Sequence, residues 1–273
     1  MKVVVDNGKL RIRSVTVGTL LRKGTEGERY KGGQWGGLYL RAPEIFFRVL
    51  EGAGDKLVRL GDVAEVKFGI KTGANGFFFL KPLPHRPTCP FCKVIHAEAL
   101  TDKEERAYRE RGETPPEGTL VAVKNGLGWE GYLEYSVLRL LLKSSKEAPT
   151  LVVPVTPSRV FLPSSANRET LPKHAQNYVD YGEQLPITVA KGRSKGAVLQ
   201  GIPSLSTVRG RNPWWWLGEW DEAPIALPIF ERARKYAFWN EQRAVIDHAL
   251  CMVRPREGVE AKALFLALNS AVF

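Results

Sequence analysis

The run Val66-Lys67-Phe68-Gly69-Ile70-Lys71-Thr72-Gly73-Ala74-Asn75-Gly76-Phe77-Phe78-Phe79-Leu80 constrains this chain more than any other segment. Two apolar, strand-like stretches flank a turn built from glycine, lysine, threonine and asparagine. Glycine permits positive φ and lets the backbone approach another surface closely. Lys67 and Lys71 set cationic donors beside that backbone, and Thr72 and Asn75 add polar groups. Such a loop suits a phosphate or a base edge better than an apolar partner. No Gly-Lys-Ser or Gly-Lys-Thr triplet opens a helix here, which argues against a Walker loop and nucleotide hydrolysis. The plain alternative is a glycine-rich hairpin that merely folds, and spacing alone favours neither.

Charge narrows the partner. The 273 residues carry 40 Lys and Arg against 29 Asp and Glu, a formal net charge of +11, and the pI is about 9.6. Polyanions are the obvious class of partner, although RNA-binding and membrane-surface proteins share this balance. With 44% hydrophobic and 25% charged residues, the chain has the composition of one large globular domain or two small ones. No apolar run approaches the roughly 20 residues that span a bilayer, and Met1-Lys2-Val3-Val4-Val5-Asp6 lacks the apolar core of a signal peptide. Three cysteines, an odd number, argue against a disulfide framework and fit a reducing cytoplasm.

Local pattern predicts an α+β fold, strand-rich, with a few short helices and a C-terminal helix. Val3 to Arg13 reads as a hairpin with Asn7-Gly8 at its tip, followed by a Gly-rich loop over 23–37. Ala42 to Leu50 reads as a short helix, and Leu57 to Leu80 as strands around the lysine–glycine loop. The charge-dense stretch Thr101 to Gly118 reads as a solvated loop or frayed helix. Val137 to Lys143 reads as a short buried helix. Leu120–Val123, Leu151–Val155 and Val160–Leu162 read as strands, and Gln176–Gly182 as the close of a helix. Residues 225–230, 234–239 and 245–253 read as a β-meander before a last helix over 259–272.

Several segments together resemble a known family. Leu60-Gly61-Asp62-Val63-Ala64-Glu65-Val66, then Gly69 to Asn75 and Phe77-Phe78, look like the start of a target recognition domain. Such domains belong to the N-6 adenine DNA methyltransferases of restriction–modification systems, type IIG-like enzymes among them, and distantly to type I specificity subunits. Trp35-Gly36-Gly37 and Leu40-Arg41-Ala42-Pro43-Glu44-Ile45 resemble the stretch just after the catalytic domain. Tyr178 to Glu183, Arg211 to Leu217 and Leu266-Ala267-Leu268-Asn269-Ser270 follow in family order. The resemblance implies an N-terminal hairpin and loop over 1–36 and a DNA recognition domain over 37–273. It also implies a catalytic domain elsewhere, since its motifs are absent here, and relatives that continue past Ser270. The chain then reads as a fragment or a half-gene.

Lys191-Gly192-Arg193-Ser194-Lys195-Gly196 and Arg209-Gly210-Arg211-Asn212-Pro213-Trp214-Trp215-Trp216 interleave cations, glycines and aromatics. Arginine reads guanine bidentately, lysine pairs with phosphate, and tryptophan stacks on bases. The competing reading is a tryptophan core with a solvated basic edge. Three adjacent tryptophans cannot all face one way, so at least one belongs to a core. Taken with the resemblance, Lys67, Lys71, Thr72, Asn75, Lys191, Arg193, Lys195, Arg209, Arg211 and Trp214 are the expected DNA contacts. Asn212-Pro213-Trp214-Trp215 imitates the Asn-Pro-Pro-aromatic loop of amino-methyltransferases, but no Gly-rich turn for S-adenosylmethionine precedes it, so methyl transfer by this chain alone is not expected. Asp62 and Glu65, or Glu219, Asp221 and Glu222, lack the spacing of a nuclease centre and read as solvated loops.

Cys89 and Cys92 have the knuckle spacing that grips one zinc, and His85 and His96 flank them. Zinc sites ordinarily draw the second ligand pair from a separate segment, and four ligands in one short loop are cramped. The stretch therefore fits either a structural zinc or two free thiols. His174 and His248 show no catalytic partner and read as structural, and Cys251 as core. The expected activity is non-catalytic recognition of double-stranded DNA. S-adenosylmethionine would sit on a partner methyltransferase domain or subunit, and the setting would be cytoplasmic with no membrane partner. An RNA-binding module and a protein-interaction subunit that docks a methyltransferase are the rivals.

Overall fold

The computed structural model describes residues 2–6, 11–30, 42, 44–189, 195–229 and 236–270. Two compact units divide between Arg59 and Leu60. In the first, β1 (Lys2–Asp6) pairs antiparallel with β2 (Arg11–Ser14), as the hairpin reading of 3–13 predicts. The Asn7-Gly8 tip lies outside the described residues. Helix α1 (Val17–Gly24) starts at Thr16, whose hydroxyl accepts from the Thr19 amide at 3.2 Å. A small hairpin of β3 (Thr25–Glu26) and β4 (Arg29–Tyr30) stands where a loop is expected, with Gly27 at φ 62° supplying its turn. Helix α2 (Glu44–Ala53) follows and ends where Gly54 takes φ 52°.

The second unit opens with the single turn α3 (Leu60–Val63) and β5 (Ala64–Phe68). The single turn α4 (Asn75–Phe78), β6 (Phe79–Pro82), α5 (Asp102–Glu110), β7 (Leu120–Asn125), β8 (Glu130–Glu134), β9 (Leu138–Leu142) and β10 (Arg159–Phe161) come next. Helix α6 (Lys173–Gln184) precedes the pair β11 (Pro186–Thr188) and β12 (Val198–Gln200). Then come β13 (Ile225–Pro228), β14 (Phe238–Trp239), β15 (Val245–Ile246), β16 (Leu250–Pro255) and α7 (Ala261–Leu268). The result is an α+β fold.

A six-stranded sheet has the order β15-β9-β10-β6-β7-β8, antiparallel except for the parallel β15–β9 pair. A four-stranded antiparallel sheet has the order β14-β13-β16-β5. Three expectations fail here for physical reasons. The run 137–143 is a strand: β9 lies between two neighbours and is buried on both faces, Leu138 and Leu141 in one cluster, Leu140 and Leu142 in another. A continuous apolar run of that length has no period to separate strand from helix. The C-terminal strands form no meander, because β15 leaves for the other sheet. Of residues 151–155, only Val152 bridges, to Trp239.

Residues 102–110 are an ordered helix, neither loop nor frayed end. The Thr101 amide donates to the Glu104 carboxylate at 2.8 Å, closing a capping box, and Arg86 grips the same carboxylate at 2.7 Å. The Thr101 amide first, and Arg86 next, hold the Glu104 carboxyl at about 2. Glu105 turns inward, so the charge density misreads as solvent exposure. Core aromatics gather around Phe77, which stacks on Tyr178 at 4.3 Å and touches Phe161 and Trp214. The buried Tyr178 hydroxyl donates to the Phe77 carbonyl at 2.7 Å and accepts from Asn125 at 3.0 Å. Leu264 and Leu268 of α7 pack with Ala64, Ile225 and Val253 of the smaller sheet.

Candidate functional site

The lysine–glycine run is a crossover, not a hairpin: β5 belongs to one sheet and β6 to the other. Between them the backbone threads close to β15 and β16. The Gly69 amide donates to the Leu250 carbonyl at 3.0 Å and the Ile70 amide to Ile246 at 2.6 Å. A Cβ on Gly69 would stand 2.3 Å from the Ile246 and Asp247 carbonyl oxygens. Gly73 takes φ 76°, and its carbonyl accepts from the Thr207 hydroxyl at 2.6 Å. Two of the glycines are thus required by approaches inside the fold.

Several expected DNA contacts sit in that interior. Thr72 is fully buried, and its hydroxyl donates to the Asn75 side-chain oxygen at 2.5 Å, so it shapes the turn and offers nothing to a duplex. Trp214 is buried against Phe77 and Phe78, and its indole donates to Glu183 at 3.0 Å. Trp215 is buried as well, so the tryptophan run supplies core rather than a stacking platform. Arg211 donates to the carbonyls of Trp214 at 3.1 Å, Thr72 at 3.0 Å and Lys71 at 3.3 Å, with its guanidinium 5.8 Å from the centre of the Phe78 ring. It is a clamp between the tryptophan segment and the crossover. Arg211→Ala is expected to lower stability by about 1–2 kcal/mol in the absence of any nucleic acid, read from denaturant midpoints; an unchanged midpoint would return Arg211 to the surface.

Other cations remain outward. Lys67 is exposed but ion-paired with Glu65 at 2.7 Å. Lys71, Asn75, Lys195 and Arg209 are exposed, and among the described residues none of these three cations has an ion pair. Lys191 and Arg193 lie outside the described residues. Glu65 and Asp221 share Arg254, at 3.4 and 3.1 Å, so the acidic segments are tied down as ion pairs.

Sequence reading missed one group. A cleft of about 390 Å³ is lined by Lys81, Lys124 and Lys143 with Asn75 and Asn125. Lys81 and Lys124 are direct partners across β6 and β7, a like-charge pair. No carboxylate pairs with any of the three lysines among the described residues. Lys81 lies in β6, Lys124 in β7 and Lys143 directly after the end of β9, so only the tertiary fold brings them together.

A Cys–His cluster joins the 89–96 segment to the start of α6. One ligand atom from each of Cys89, Cys92, His96 and His174 lies within 4.8 Å of the others. The knuckle closes through the Cys89 amide on the Val94 carbonyl at 2.8 Å and the Lys93 amide on the Cys89 carbonyl at 3.0 Å, with Lys93 at φ 62°. Cys92 Sγ is 3.1 Å from His96 Nε2, and His96 Nδ1 faces Glu98 at 3.2 Å. His174 comes from the first turn of α6, where Glu134 lies 3.3 Å from its Nδ1 and accepts the amides of His174 and Ala175 at 2.7 and 3.0 Å. Burial works to raise the Cys92 thiol, but hydrogen bonds from Cys89, the Val94 backbone and His96 outweigh it and hold it at about 6. Glu134 raises His174 against burial, while burial raises Cys89. His85 is not a member: it is exposed and stands 3.9 Å from Glu130. His174, rather than His85, is thus the residue that stands with Cys89, Cys92 and His96.

Comparison of the chain with known protein families and with curated proteins finds no match in either. Among the described residues no helix is long and apolar enough to cross a membrane.

Proposed function

We propose that this chain binds double-stranded DNA as the specificity part of a restriction–modification adenine methyltransferase and is not catalytic by itself. The observation that carries the reading is the lysine cleft. Lys81 and Lys124 face each other across two strands, Lys143 lines the same cleft, and among the described residues no carboxylate neutralises them. Like charges placed opposite one another cost stability. A phosphate relieves that repulsion, and Asn75 at the same cleft adds an amide. Lys71, Lys195 and Arg209 supply further exposed cations on a chain of net charge +11. The family-like order of segments supports DNA as the polyanion and a separate methyltransferase domain or subunit as the holder of S-adenosylmethionine.

Binding to a randomised duplex pool across a salt series tests this. The reading expects an enriched motif and a steep salt dependence. The triple variant Lys81→Ala/Lys124→Ala/Lys143→Ala is expected to reduce the log–log salt slope by about 2–3, at about 0.9 per lost phosphate contact. An unchanged slope would remove the cleft from the interface. Preference for single-stranded or structured RNA over duplex of the same length would replace the reading with an RNA module. No binding at low salt would leave the docking subunit.

A further inference from the structure

We propose that Cys89, Cys92, His96 and His174 form a closed, structural zinc site that pins the knuckle to the start of α6. The donor set is two sulfurs and two imidazoles, the ligand chemistry of tetrahedral zinc. With Zn–S near 2.3 Å and Zn–N near 2.0–2.1 Å, the corners of such a tetrahedron stand about 3.3–3.8 Å apart. The four donor atoms already lie within 4.8 Å of one another, so small side-chain shifts complete the cage. The fourth ligand, which sequence spacing leaves open, comes from a distant element, His174 on α6.

Outer-shell partners carry the inference beyond proximity. Glu98 faces His96 Nδ1 at 3.2 Å and Glu134 faces His174 Nδ1 at 3.3 Å. Each carboxylate orients its ring and leaves Nε2 as the ligand atom, the arrangement found around metal-bound histidine. His96 Nε2 is the nitrogen that points at Cys92. Four protein donors leave no open coordination position, so the ion holds structure and does not activate water. The site stands independently of the DNA reading.

The full chain, purified under reductant, stripped by chelation and reloaded with Zn(II) or Co(II), provides the test. One zinc per chain is expected, with the intense visible absorption of tetrahedral Co(II) and a thiolate-to-cobalt charge-transfer band. His174→Ala is expected to weaken zinc binding more than about 100-fold, and Glu134→Gln by about 10–100-fold, while His85→Ala leaves it unchanged. Any folding defect in a variant leaves the cobalt spectrum of the unmodified chain as the deciding readout. A reduced chain that takes up Co(II) without a tetrahedral thiolate spectrum would overturn the proposal. So would a Cys89–Cys92 disulfide that persists under reductant and refuses metal, or metal loss in His85→Ala but not in His174→Ala.

Discussion

Glu105→Ala is expected to lower the unfolding free energy by about 3–5 kcal/mol, the cost of breaking a buried ion pair from one side. Glu105 and Arg159 are 0% and 1% exposed and meet in a bidentate pair at 2.9 and 2.7 Å. Arg159 also donates to the Thr156 and Ser158 carbonyls at 2.8 and 3.0 Å, and Arg109 reaches Glu105 at 2.6 Å. Removing the carboxylate strands a guanidinium in the interior. Replacing both partners, as Glu105→Leu with Arg159→Met, is expected to recover most of the loss, because no buried charge is left uncompensated. Denaturant unfolding of the two single variants and the double variant measures the coupling. A double variant no better than the singles would show that the pair also sets the local fold.

The same carboxylate sets a pH dependence. Burial works to raise the Glu105 carboxyl, but hydrogen bonding and charge from Arg159, with Arg109 behind it, outweigh burial and hold it below its ordinary 4.5. A folded value below the unfolded one means that the stabilisation is fully present above about pH 4.5 and is lost as pH falls through the folded value. The stability gap between the unmodified chain and Glu105→Gln should therefore narrow on acidification below pH 4.5 and hold constant above it.

Gly69→Ala is the second large loss, expected at about 2–3 kcal/mol, the upper part of the range for overpacking. The added methyl would meet main-chain oxygens of Ile246 and Asp247 at 2.3 Å, and main chain cannot swing aside as a side-chain tip can. Relief requires β15 to move away from the crossover, breaking the 2.6 Å bond between the Ile70 amide and the Ile246 carbonyl. Gly210→Ala is the control: a Cβ there meets nothing within 4 Å, and the change should stay within about 0.5 kcal/mol. Equal midpoints for the two variants would mean that the crossover relaxes without strain.

Local signals were legible where one segment carries its own periodicity. The β1–β2 hairpin follows from its Asn-Gly turn signal, the helices read at 42–50 and 259–272 from an apolar face within one window, and the strand read at 120–123 from a short apolar run. Charge misled at α5, because a buried carboxylate looks like a solvated one until its arginine, 54 positions away, is placed. The knuckle Cys89-x-x-Cys92 with His96 was readable from spacing. Its fourth member was not, since nothing in the sequence places His174 beside residues some 80 positions earlier.

By itself the sequence determined the α+β class, the strong basic balance, the knuckle and the presence of a glycine-bearing connection at 66–80. Tertiary structure alone decided what those elements do. It buried Thr72 and Trp214 and held the half-buried Arg211 on the carbonyls of Lys71, Thr72 and Trp214, because the crossover packs against the tryptophan segment. It also assembled Lys81, Lys124 and Lys143 into one cleft, and Glu134, His174 and the knuckle into one cluster. Strand register and helix docking are set by burial summed over the whole core. Side chains far apart in sequence therefore acquire a shared site only when that core closes.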